Sequence, residues 1–445
     1  MRNLLWVFVC AACGSSDEVT AGAGDASTPL VDVGVDSSPP PPKCGASDWL
    51  TYGHDARRTS ASDACIDGQL APAWTYVPMG GLTSMHHVIA STDAVYVQWA
   101  APTGPYVGTT AADRVSPQGK RVWTYDTGSD ANLGNWASVS GGNLVLQDDG
   151  LYFVDLVTGK VGPNTGVDWW GQTIPAANGG VWFANTSKSD GPGLFVGLMD
   201  MTAKTTWKGN EQGTMCGDGF SDVMGGIAVD GSVLFYAPVY KTGSAKQPLP
   251  SGVYAFDALT GSPKWNVMTT PASAISVGDG FVYLIEGGEL VARKQADGTK
   301  AWSVPAANAG AQSPVLANHL VIIATQANVV AVDATTGTAA WTSPVVGAAA
   351  QPYQRQISNG CSGLQTLGAA TITTLAAALP SGTLVVTASD GIHVLALKDG
   401  SAKWSGKIPG AKFAVHDPVL VGKMVYVIDS AASFAPGSVI ALTAM

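Results

Sequence analysis

The chain has 445 residues, of which only 13% are charged while 54 are glycine, and its formal net charge is -10. An acidic chain without a basic cluster is poorly suited to bind a nucleic-acid backbone or an anionic lipid surface, so we expect neither partner. Few charges and many glycines favour short strands joined by tight turns over long exposed helices.

The first residues predict an export signal. Arg2 gives a charged start, and residues 4–13 form a short apolar run that ends in small residues before a cysteine. This run is too short to span a bilayer, so residues 1–12 are predicted to be a signal peptide. The segment Ala-Ala-Cys13-Gly resembles a bacterial lipobox, with Cys10 in place of the usual leucine, which implies that Cys13 carries a lipid.

The next segment predicts a flexible tether. Residues 13–43 are rich in Gly, Ser, Asp and Pro and end in a run of prolines before Lys43. Such a composition does not supply a core, so the segment is predicted to be disordered. The expected organisation is a signal peptide at 1–12, a lipid-anchored tether at 13–43 and one folded domain at 44–445. We expect the protein at the outer membrane or cell surface, in contact with the membrane only through its lipid.

Four cysteines follow the tether: Cys44, Cys65, Cys216 and Cys361. An even number outside the cytoplasm predicts two disulfides, and the spacing is not that of a metal site. Of the three pairings, we favour Cys44 with Cys65, which are close in sequence, and therefore Cys216 with Cys361. The last two cysteines fall in the longest gaps between the repeat marks described next, so each is expected on an extra loop.

The folded region is built from a repeat with the pattern Ala-x-Asp-x-x-x-Gly-x-x-x-Trp. Its clearest copies are residues 255–265 and 331–341. An apolar strand leads into each copy, the glycine marks a tight turn, and the return strand carries the tryptophan. Spacing near 40 residues between β-rich, Gly-punctuated units is the signature of propeller blades. Eight marks are found, at Trp74, Trp123, Pro163, Trp207, Trp265, Trp302, Trp341 and Trp404.

These marks predict an all-β fold, an eight-bladed β-propeller of four-stranded antiparallel blades. The last unit has strands at 423–429 and 438–443 but no tryptophan strand after them, whereas the strand around Trp74 has no blade before it. The N-terminal strand should therefore complete the last blade and close the ring. The tryptophan rings are expected to fill the wedges between adjacent blades.

The repeat resembles that of the pyrroloquinoline-quinone-type (PQQ-like repeat) β-propellers. This superfamily holds the quinone-dependent alcohol dehydrogenases and the outer-membrane assembly lipoproteins of Gram-negative bacteria. The resemblance runs roughly from Asp48 to the end, and the opening Trp49 to Thr59 resembles the segment that leads into the first blade of these proteins. It implies architecture strongly and activity weakly, because one fold hosts many functions.

The residues that the dehydrogenases use are missing from this sequence. Those enzymes carry an adjacent cysteine pair, a calcium site and often a haem-binding C-x-x-C-H segment, and this chain has neither adjacent cysteines nor that segment. The common hydrolase and nucleotide-binding motifs are also missing. We therefore predict no catalytic residue, no metal and no cofactor.

Polar residues recur ahead of the apolar cores of successive blades, such as Val95-Tyr96-Val97. We take these apolar cores to be those of the innermost strands, which line the axis, so that the polar residues nine and ten positions before the shared tyrosine would form a ring around the channel mouth. Because the first and last blades are neighbours in a closed ring, their three imidazoles and one carboxylate would come together and could hold a divalent metal or act as acid and base. The simpler interpretation is a wet channel lining. The candidate residues are His86, His87, Trp136, Gln172, Gln312, His416 and Asp417.

Together these features favour a monomeric, non-catalytic propeller that serves as a binding or scaffold protein of the cell envelope, with an envelope protein as partner. Two alternatives remain open. One is a propeller that binds a sugar or another small ligand at its central mouth. The other is a divergent enzyme with a metal or quinone at that mouth.

Overall fold

The residues that the computed structural model describes lie within Pro42–Met445. The predicted signal peptide, the tether and Cys13 lie outside the described residues, as do Trp136, Cys216, Gln312 and Cys361. The described residues are 44–45, 47–78, 84–102, 108–126, 137–147, 151–165, 169–187, 193–212, 226–237, 252–309, 313–345, 352–353, 356–359, 363–366, 370–371, 375–411, 415–430 and 437–445.

Eight antiparallel sheets, named blades 1 to 8 here, form the fold, as the sequence predicts. The strands of blades 1 to 4 are Ser84–Ala90, Val95–Pro102, Gly108–Val115 and Arg121–Asp126; Ser138–Ser140, Asn143–Gln147, Leu151–Asp155 and Val161–Asn164; Trp169–Pro175, Val181–Ser187, Gly193–Met199 and Thr205–Gln212; and Ile227–Asp230, Val233–Tyr236, Gly252–Asp257 and Pro263–Met268. Among the described residues no helix is long and apolar enough to cross a membrane.

Blades 5 to 8 continue the same pattern. Their strands are Ser276–Gly278, Phe281–Glu286, Glu289–Lys294 and Lys300–Pro305; Val315–Ala317, Leu320–Ala324, Asn328–Asp333 and Ala339–Pro344; Leu375–Ala378, Thr383–Ala388, Gly391–Ala396 and Ala402–Gly406; and Val415–Val421, Met424–Ser430, Gly437–Ala444 and Leu70–Tyr76. Two short pairs of antiparallel strands lie between blades 6 and 7 in the chain. They are Pro352–Tyr353 with Ala370–Thr371, and Gln356–Asn359 with Gly363–Thr366.

The first strand of each blade lies innermost. First strands of neighbouring blades contact one another from blade 2 to blade 8, and those of blades 8 and 1 do so as well. The second strands are buried along their length, as in Thr383–Ala388, whereas fourth strands such as Arg121–Asp126 alternate between exposed and half-buried residues. The core therefore lies between the blades, where the apolar faces of neighbouring sheets exclude water.

The two ends of the folded domain close the ring. Strand Leu70–Tyr76 pairs antiparallel with Gly437–Ala444, and Trp74 lies opposite Ala441. The prediction that the N-terminal strand completes the last blade is therefore confirmed. Radial repetition of this kind leaves only short sheet edges, one at the first strand and one at the fourth strand of each blade.

A buried carboxylate joins the closing blade to its neighbour. Asp113 of blade 1 is fully buried and accepts hydrogen bonds from the Tyr76 hydroxyl at 2.7 Å, the Trp99 indole at 2.8 Å and the Thr124 hydroxyl at 2.6 Å. Tyr76 belongs to the fourth strand of blade 8. Burial, and then the bond to Asp113, raise the pKa of the Tyr76 phenol above its ordinary value, so the phenol stays a donor at neutral pH.

Six of the predicted tryptophan marks join neighbouring blades by packing the indole ring on a turn glycine of the next blade. Trp123 of blade 1 donates its indole N–H to the Leu156 carbonyl of blade 2, at 3.0 Å. In the same turn Gly159 has a φ of 69°, and a Cβ there would lie 2.8 Å from the indole ring. This contact confirms that the tryptophans fill the wedges between blades. The other pairs are Trp74 with Gly119, Trp207 with Gly261, Trp265 with Gly298, Trp302 with Gly337 and Trp341 with Gly400.

The degenerate mark Pro163 faces a turn of a different kind. It lies on the fourth strand of blade 2, Val161–Asn164. In blade 3 the turn between the third and fourth strands places Ala203, with a φ of 61°, where the other turns have glycine. A left-handed alanine costs about 1 kcal/mol, and no indole packs on this turn from Pro163. The repeat is therefore weakest between blades 2 and 3.

Candidate functional site

The segment at residues 47–66, named the lead-in here, circles inside the ring. Its backbone bonds to the first strands of one blade after another: Trp49 with Ala90 of blade 1, Leu50 with Val139 of blade 2, Ala56 with Val229 of blade 4, Arg57 with Val277 of blade 5, Thr59 with Leu316 of blade 6 and Ser60 with Ala377 of blade 7. The Thr51 hydroxyl donates to the Thr173 carbonyl of blade 3 at 3.1 Å. Cys65 N–H donates to the Gly422 carbonyl of blade 8 at 2.8 Å.

Strand pairing places the lead-in on the channel side of the first strands. Residues Ala61–Ser62 pair in parallel with Leu375–Ala378, which makes blade 7 a five-stranded sheet. The free edge of a first strand faces the axis, because its other edge is bonded to the second strand. The lead-in therefore occupies the part of the channel where the first strands end, and its backbone satisfies amides and carbonyls that a bare channel wall would leave to water.

A disulfide closes the lead-in into a loop. Cys44 and Cys65 are bonded, with Cα atoms 5.4 Å apart. This confirms the first of the two predicted disulfides, and the second, Cys216 with Cys361, stays a prediction. The chain bends sharply inside the loop, with positive φ at His54, Arg58 and Ser60. Such positions persist only where the surroundings hold them, and here the backbone bonds to the blades do so.

Arg58 is the centre of the polar contacts in the channel. Its guanidinium is fully buried and donates to the Ile227 carbonyl at 3.1 Å, the Thr51 hydroxyl at 3.1 Å, the Thr173 carbonyl at 3.5 Å and the Tyr52 carbonyl. The Tyr52 ring lies 5.5 Å from the guanidinium carbon, within reach of a cation–π interaction. Burial lowers the pKa of Arg58 to about 10, so the group remains charged at neutral pH.

His87 faces the same region from the first strand of blade 1. It is 3% exposed, and its ring centroid lies 6.2 Å from that of Tyr52. Neither ring nitrogen has a hydrogen-bond partner among the described residues. Burial lowers the pKa of His87 to about 4, with the charge of Asp417 opposing the shift and that of Arg58 adding to it. The imidazole is therefore neutral, with one nitrogen able to donate and the other to accept.

Two of the predicted ring residues are brought together. The negative charge of Asp417, on the first strand of blade 8, raises the pKa of His87 on the first strand of blade 1. This interaction agrees with the expectation that the first and last blades meet. Gln172 lies on the first strand of blade 3, and its side-chain oxygen accepts the Ile227 N–H at 3.3 Å, so it ties blade 3 to blade 4. His86 and His416 lie on the first strands of blades 1 and 8, and their side chains are outside the described part of the structure.

One part of the predicted register is wrong. The apolar cores, such as Val95-Tyr96-Val97, belong to the second strands and not to the innermost ones; in blade 1 the second strand is Val95–Pro102. They are apolar because the second strand is buried against both neighbouring blades. Among the described polar positions, those of His87, Gln172 and Asp417 lie on the first strands of their blades. The ring as a whole stays a prediction.

The three remaining histidines make local contacts. His54, in the lead-in, packs edge-on against Trp49 with ring centroids 5.0 Å apart, and its Nε2 lies 3.3 Å from the Ser47 hydroxyl. Its pKa is lowered by burial. His319 is exposed and lies 3.4 Å from Asp279, and the Nε2 of His393 lies 2.9 Å from Asp390. Within the described residues no group of three or more potential ligands could hold a metal ion.

The important residues that sequence reasoning missed are in the lead-in itself. Arg58 and Thr51 form hydrogen bonds with blades 3 and 4, and the Tyr52 ring lies beside His87 of blade 1. The only sequence signal was the pair Arg57-Arg58 in a chain with few charges. Chemically, the assembled cluster fixes the lead-in to blades 3 and 4 and leaves one neutral imidazole, His87, open to a further polar group.

Comparison with known proteins agrees with this architecture. A protein-family model described as outer membrane protein assembly factor BamB matches residues 250–363 and 328–444. No curated protein matches the chain. Quinohemoprotein alcohol dehydrogenase from Comamonas testosteroni is a similar solved structure, with 13% identity and a TM-score of 0.62 over 89% of this chain and 80% of that one.

Two further solved structures cover the same span. Quinohemoprotein alcohol dehydrogenase ADHIIG from Pseudomonas putida HK5 is 16% identical, with a TM-score of 0.63 over 89% of this chain and 80% of that one. BamB from Moraxella catarrhalis is 13% identical, with a TM-score of 0.55 over 84% of this chain and 100% of that one. At such identities the likeness shows the fold alone. The protein is thus a β-propeller, and its residues 250–444 are similar to the BamB family model.

Proposed function

We propose that this protein is a non-catalytic β-propeller of the cell envelope that binds another envelope protein. The observation that carries the proposal is the lead-in, which fills the end of the channel and bonds to the first strands of all eight blades or their adjoining turns. A partner then has the outer surfaces of the ring rather than the channel to bind. The match to the BamB family supports a scaffold or binding role.

The buried cation described in the channel is not free to bind a quinone, the group that the names of the two dehydrogenase neighbours indicate. Arg58 is the buried cation there, and four of its five N–H groups are already bound to oxygens of this chain. The Cys44–Cys65 pair is separated by 21 positions and closes the lead-in, so it is not an adjacent pair of the dehydrogenase kind. No quinone chemistry is assigned to this protein.

Two features support an envelope location, the Cys44–Cys65 disulfide and the lipobox-like segment at Cys13. Structural disulfides persist in oxidising compartments, and the lipobox-like segment at Cys13 would fix the protein to a membrane. Replacing Cys13 by Ser should release the protein into the soluble fraction of cell extracts. If the variant remains with the membranes, the lipid anchor is wrong.

In-cell photo-crosslinking tests the binding function. A photoreactive benzoyl-phenylalanine is placed, one position at a time, at exposed side chains spread over the ring, such as Val77, Val122 and Leu259. We expect covalent adducts to a distinct envelope protein from some positions and none from others. The proposal fails if no position yields an adduct in cells in which the protein is correctly localised.

A small-ligand function is a second candidate, favoured by His87. A buried imidazole without a hydrogen-bond partner is costly unless water or a ligand supplies one. Mass spectrometry of the natively purified protein, compared with that of a His87→Leu variant, tests this candidate. A small molecule released from the first protein and missing from the second would favour it over the protein-binding function.

A further inference from the structure

Two buried imidazoles flank the first part of the lead-in. His54 belongs to the lead-in, and its Nδ1 is buried without a hydrogen-bond partner among the described residues. His87 faces the lead-in from blade 1, and both of its ring nitrogens are likewise buried and unpartnered there. Each ring lies near an aromatic side chain of the lead-in, with centroids 5.0 Å apart for His54 and Trp49 and 6.2 Å apart for His87 and Tyr52. A neutral imidazole can stay in such a place, whereas a charged one needs water or a partner.

The lead-in bonds to the ring in two parts, named here the front segment and the rear segment. The front segment, residues 47–54, accepts the backbone N–H of Ala90 on blade 1 at 2.9 Å and that of Val139 on blade 2 at 2.8 Å. One of the two imidazoles belongs to this segment and the other lies against it. The rear segment, residues 57–62, accepts the backbone N–H groups of three residues on blades 5, 6 and 7, each at 2.9 Å: Val277, Leu316 and Ala377.

Burial outweighs the carboxylates that surround His54. Its Nε2 has one polar neighbour, the Ser47 hydroxyl at 3.3 Å. Burial lowers the pKa of the imidazole, and the positive charge of Arg57 adds to that shift. The negative charges of three carboxylates of the lead-in oppose it: Asp55, Asp63 and Asp48. The ring is therefore neutral at neutral pH although acidic groups are close by.

His87 lies beside an aromatic ring that already contacts a permanent cation. The Arg58 guanidinium carbon is 5.5 Å from the centroid of the Tyr52 ring, whose other neighbour is His87. Burial lowers the pKa of His87 to about 4; among the described charges, Asp417 of blade 8 opposes this shift and Arg58 adds to it. A protonated His87 would place a second cation beside Tyr52, in a region from which water is excluded.

The front segment is held in place under strain, and its ends cannot leave. His54 has a φ of 74°, a left-handed conformation that a residue with a side chain keeps only where its surroundings hold it. The Cys44–Cys65 disulfide joins the two ends of the lead-in, and the Gly45 N–H donates to the Asp63 carbonyl beside it at 2.9 Å. A front segment that detaches therefore stays next to blades 1 and 2 and can return.

We propose that the front segment is an acid-sensitive closure of the channel, which detaches from blades 1 and 2 when His54 and His87 take up protons while the rear segment stays bound. Detachment gives both rings the water that their charged forms need, and it separates Tyr52 from the charged His87. This inference goes beyond the binding of an envelope protein and does not depend on it. At neutral pH both imidazoles are neutral and the closure is in place.

The size of the effect follows from His87. Its pKa is about 4 in the closed protein, against an ordinary value of 6.5 once the ring meets water. The detached form therefore binds more protons, and acid favours it as the pH falls below about 6.5. From His87 alone, the ratio of detached to closed protein should rise roughly 20-fold between pH 7 and pH 5. The pKa of His54 is shifted in the same direction, so this ring adds to the effect.

Hydrogen exchange at single amides of the full-length protein tests the proposal, with protection expressed relative to the intrinsic exchange rate at each pH. The front amides, those of Ala90 and Val139, should lose roughly 20-fold of their protection between pH 7 and pH 5. The rear amides, those of Leu316 and Ala377, should keep theirs, and return to pH 7 should restore the front ones. Histidine titrates in this range and aspartate in general does not, so the comparison reports on imidazoles.

Two variants assign the effect to the two rings. In the double variant His54→Asn, His87→Leu, the front amides should have equal protection at pH 7 and pH 5; asparagine is chosen because it tolerates the left-handed conformation. His319→Gln, which removes an exposed histidine of blade 6, is the matched control and should behave as the wild type. A loss of protection that persists in the double variant would overturn the proposal.

The wild type alone also decides the matter. Equal protection of the front amides at the two pH values would overturn the proposal, and so would a loss that reaches the rear amides or is not reversed at pH 7, because that is global unfolding. If the double variant does not fold, NMR titration of the ring signals replaces it. Both His54 and His87 should titrate below about pH 6.5, in the range where the front amides lose protection, and midpoints at or above that value for both rings would contradict the proposal.

Discussion

The hydrogen bond between Tyr76 and Asp113 gives the sharpest test of how the ring is closed. Tyr76→Phe removes a 2.7 Å bond to a fully buried carboxylate and keeps the ring packed. Bonds to charged groups contribute about 2 kcal/mol, so the free energy of unfolding should fall by about that amount. For a domain of this size, such a change lowers the melting temperature by roughly 2 °C.

Tyr426→Phe is the matched control. Tyr426 lies on the second strand of the same blade, packs against Trp74 with ring centroids 5.8 Å apart, and its hydroxyl forms no hydrogen bond within the described residues. Its removal should change the melting temperature by less than about 0.5 °C, on the same scale. Equal losses in the two variants, measured by differential scanning calorimetry, would refute the role of Asp113 in closing the ring.

The pH dependence of the same pair has a defined sign. The pKa of Tyr76 is raised in the folded protein, so its contribution is complete below the ordinary tyrosine pKa near 10 and is lost as the pH rises above that value. The difference in stability between the wild type and Tyr76→Phe should therefore shrink above about pH 10. A difference that grows with pH would contradict the assignment.

The remaining predictions concern three other contacts. Gly337→Ala should lower the melting temperature more than Gly288→Ala, because both positions have positive φ but only the first would place a Cβ 2.8 Å from an indole; equal effects would mean that backbone strain alone matters. Replacing both Cys44 and Cys65 by Ser should cost about 3 kcal/mol in the loop-entropy model, and reductant should then have no added effect on unfolding by urea. The wild type should lose stability as the pH falls from about 6.5 towards 4, because the pKa of His87 is lowered to about 4 in the folded state, and His87→Leu should lose less over that window in acid titrations followed by circular dichroism.

The blade count and the closure of the ring could be predicted because the repeat carries its own packing rule. A tryptophan packs on a glycine of the next blade, so a blade that repeats the pattern carries both residues. Within such a blade they recur at a fixed offset, as at Gly337 and Trp341. The strand around Trp74 has no blade of its own, and the last blade lacks its fourth strand. The ring can therefore close in one way, with the first strand completing the last blade. Periodic packing leaves a mark in the sequence that can be counted.

The course of the lead-in could not be predicted in this way. Its bonds to the blades are mostly backbone bonds, as between Ala56 and Val229, and backbone groups leave no residue-specific signal. Arg58 reaches Ile227, which is 169 positions away, so no local pattern reveals the contact. The repeat also does not reveal which residues face the polar positions inside the channel, because those residues belong to a segment that does not repeat.

Hydrogen exchange at the first strands tests most directly whether the lead-in fills the channel. The amides of Val229, Val277 and Leu316 donate to lead-in carbonyls at 2.7, 2.9 and 2.9 Å. We predict that in the intact protein they exchange as slowly as amides in the middle of the blades. Exchange at the rate of surface turns would mean that the channel is open, and would contradict the proposal that binding takes place on the outside of the ring.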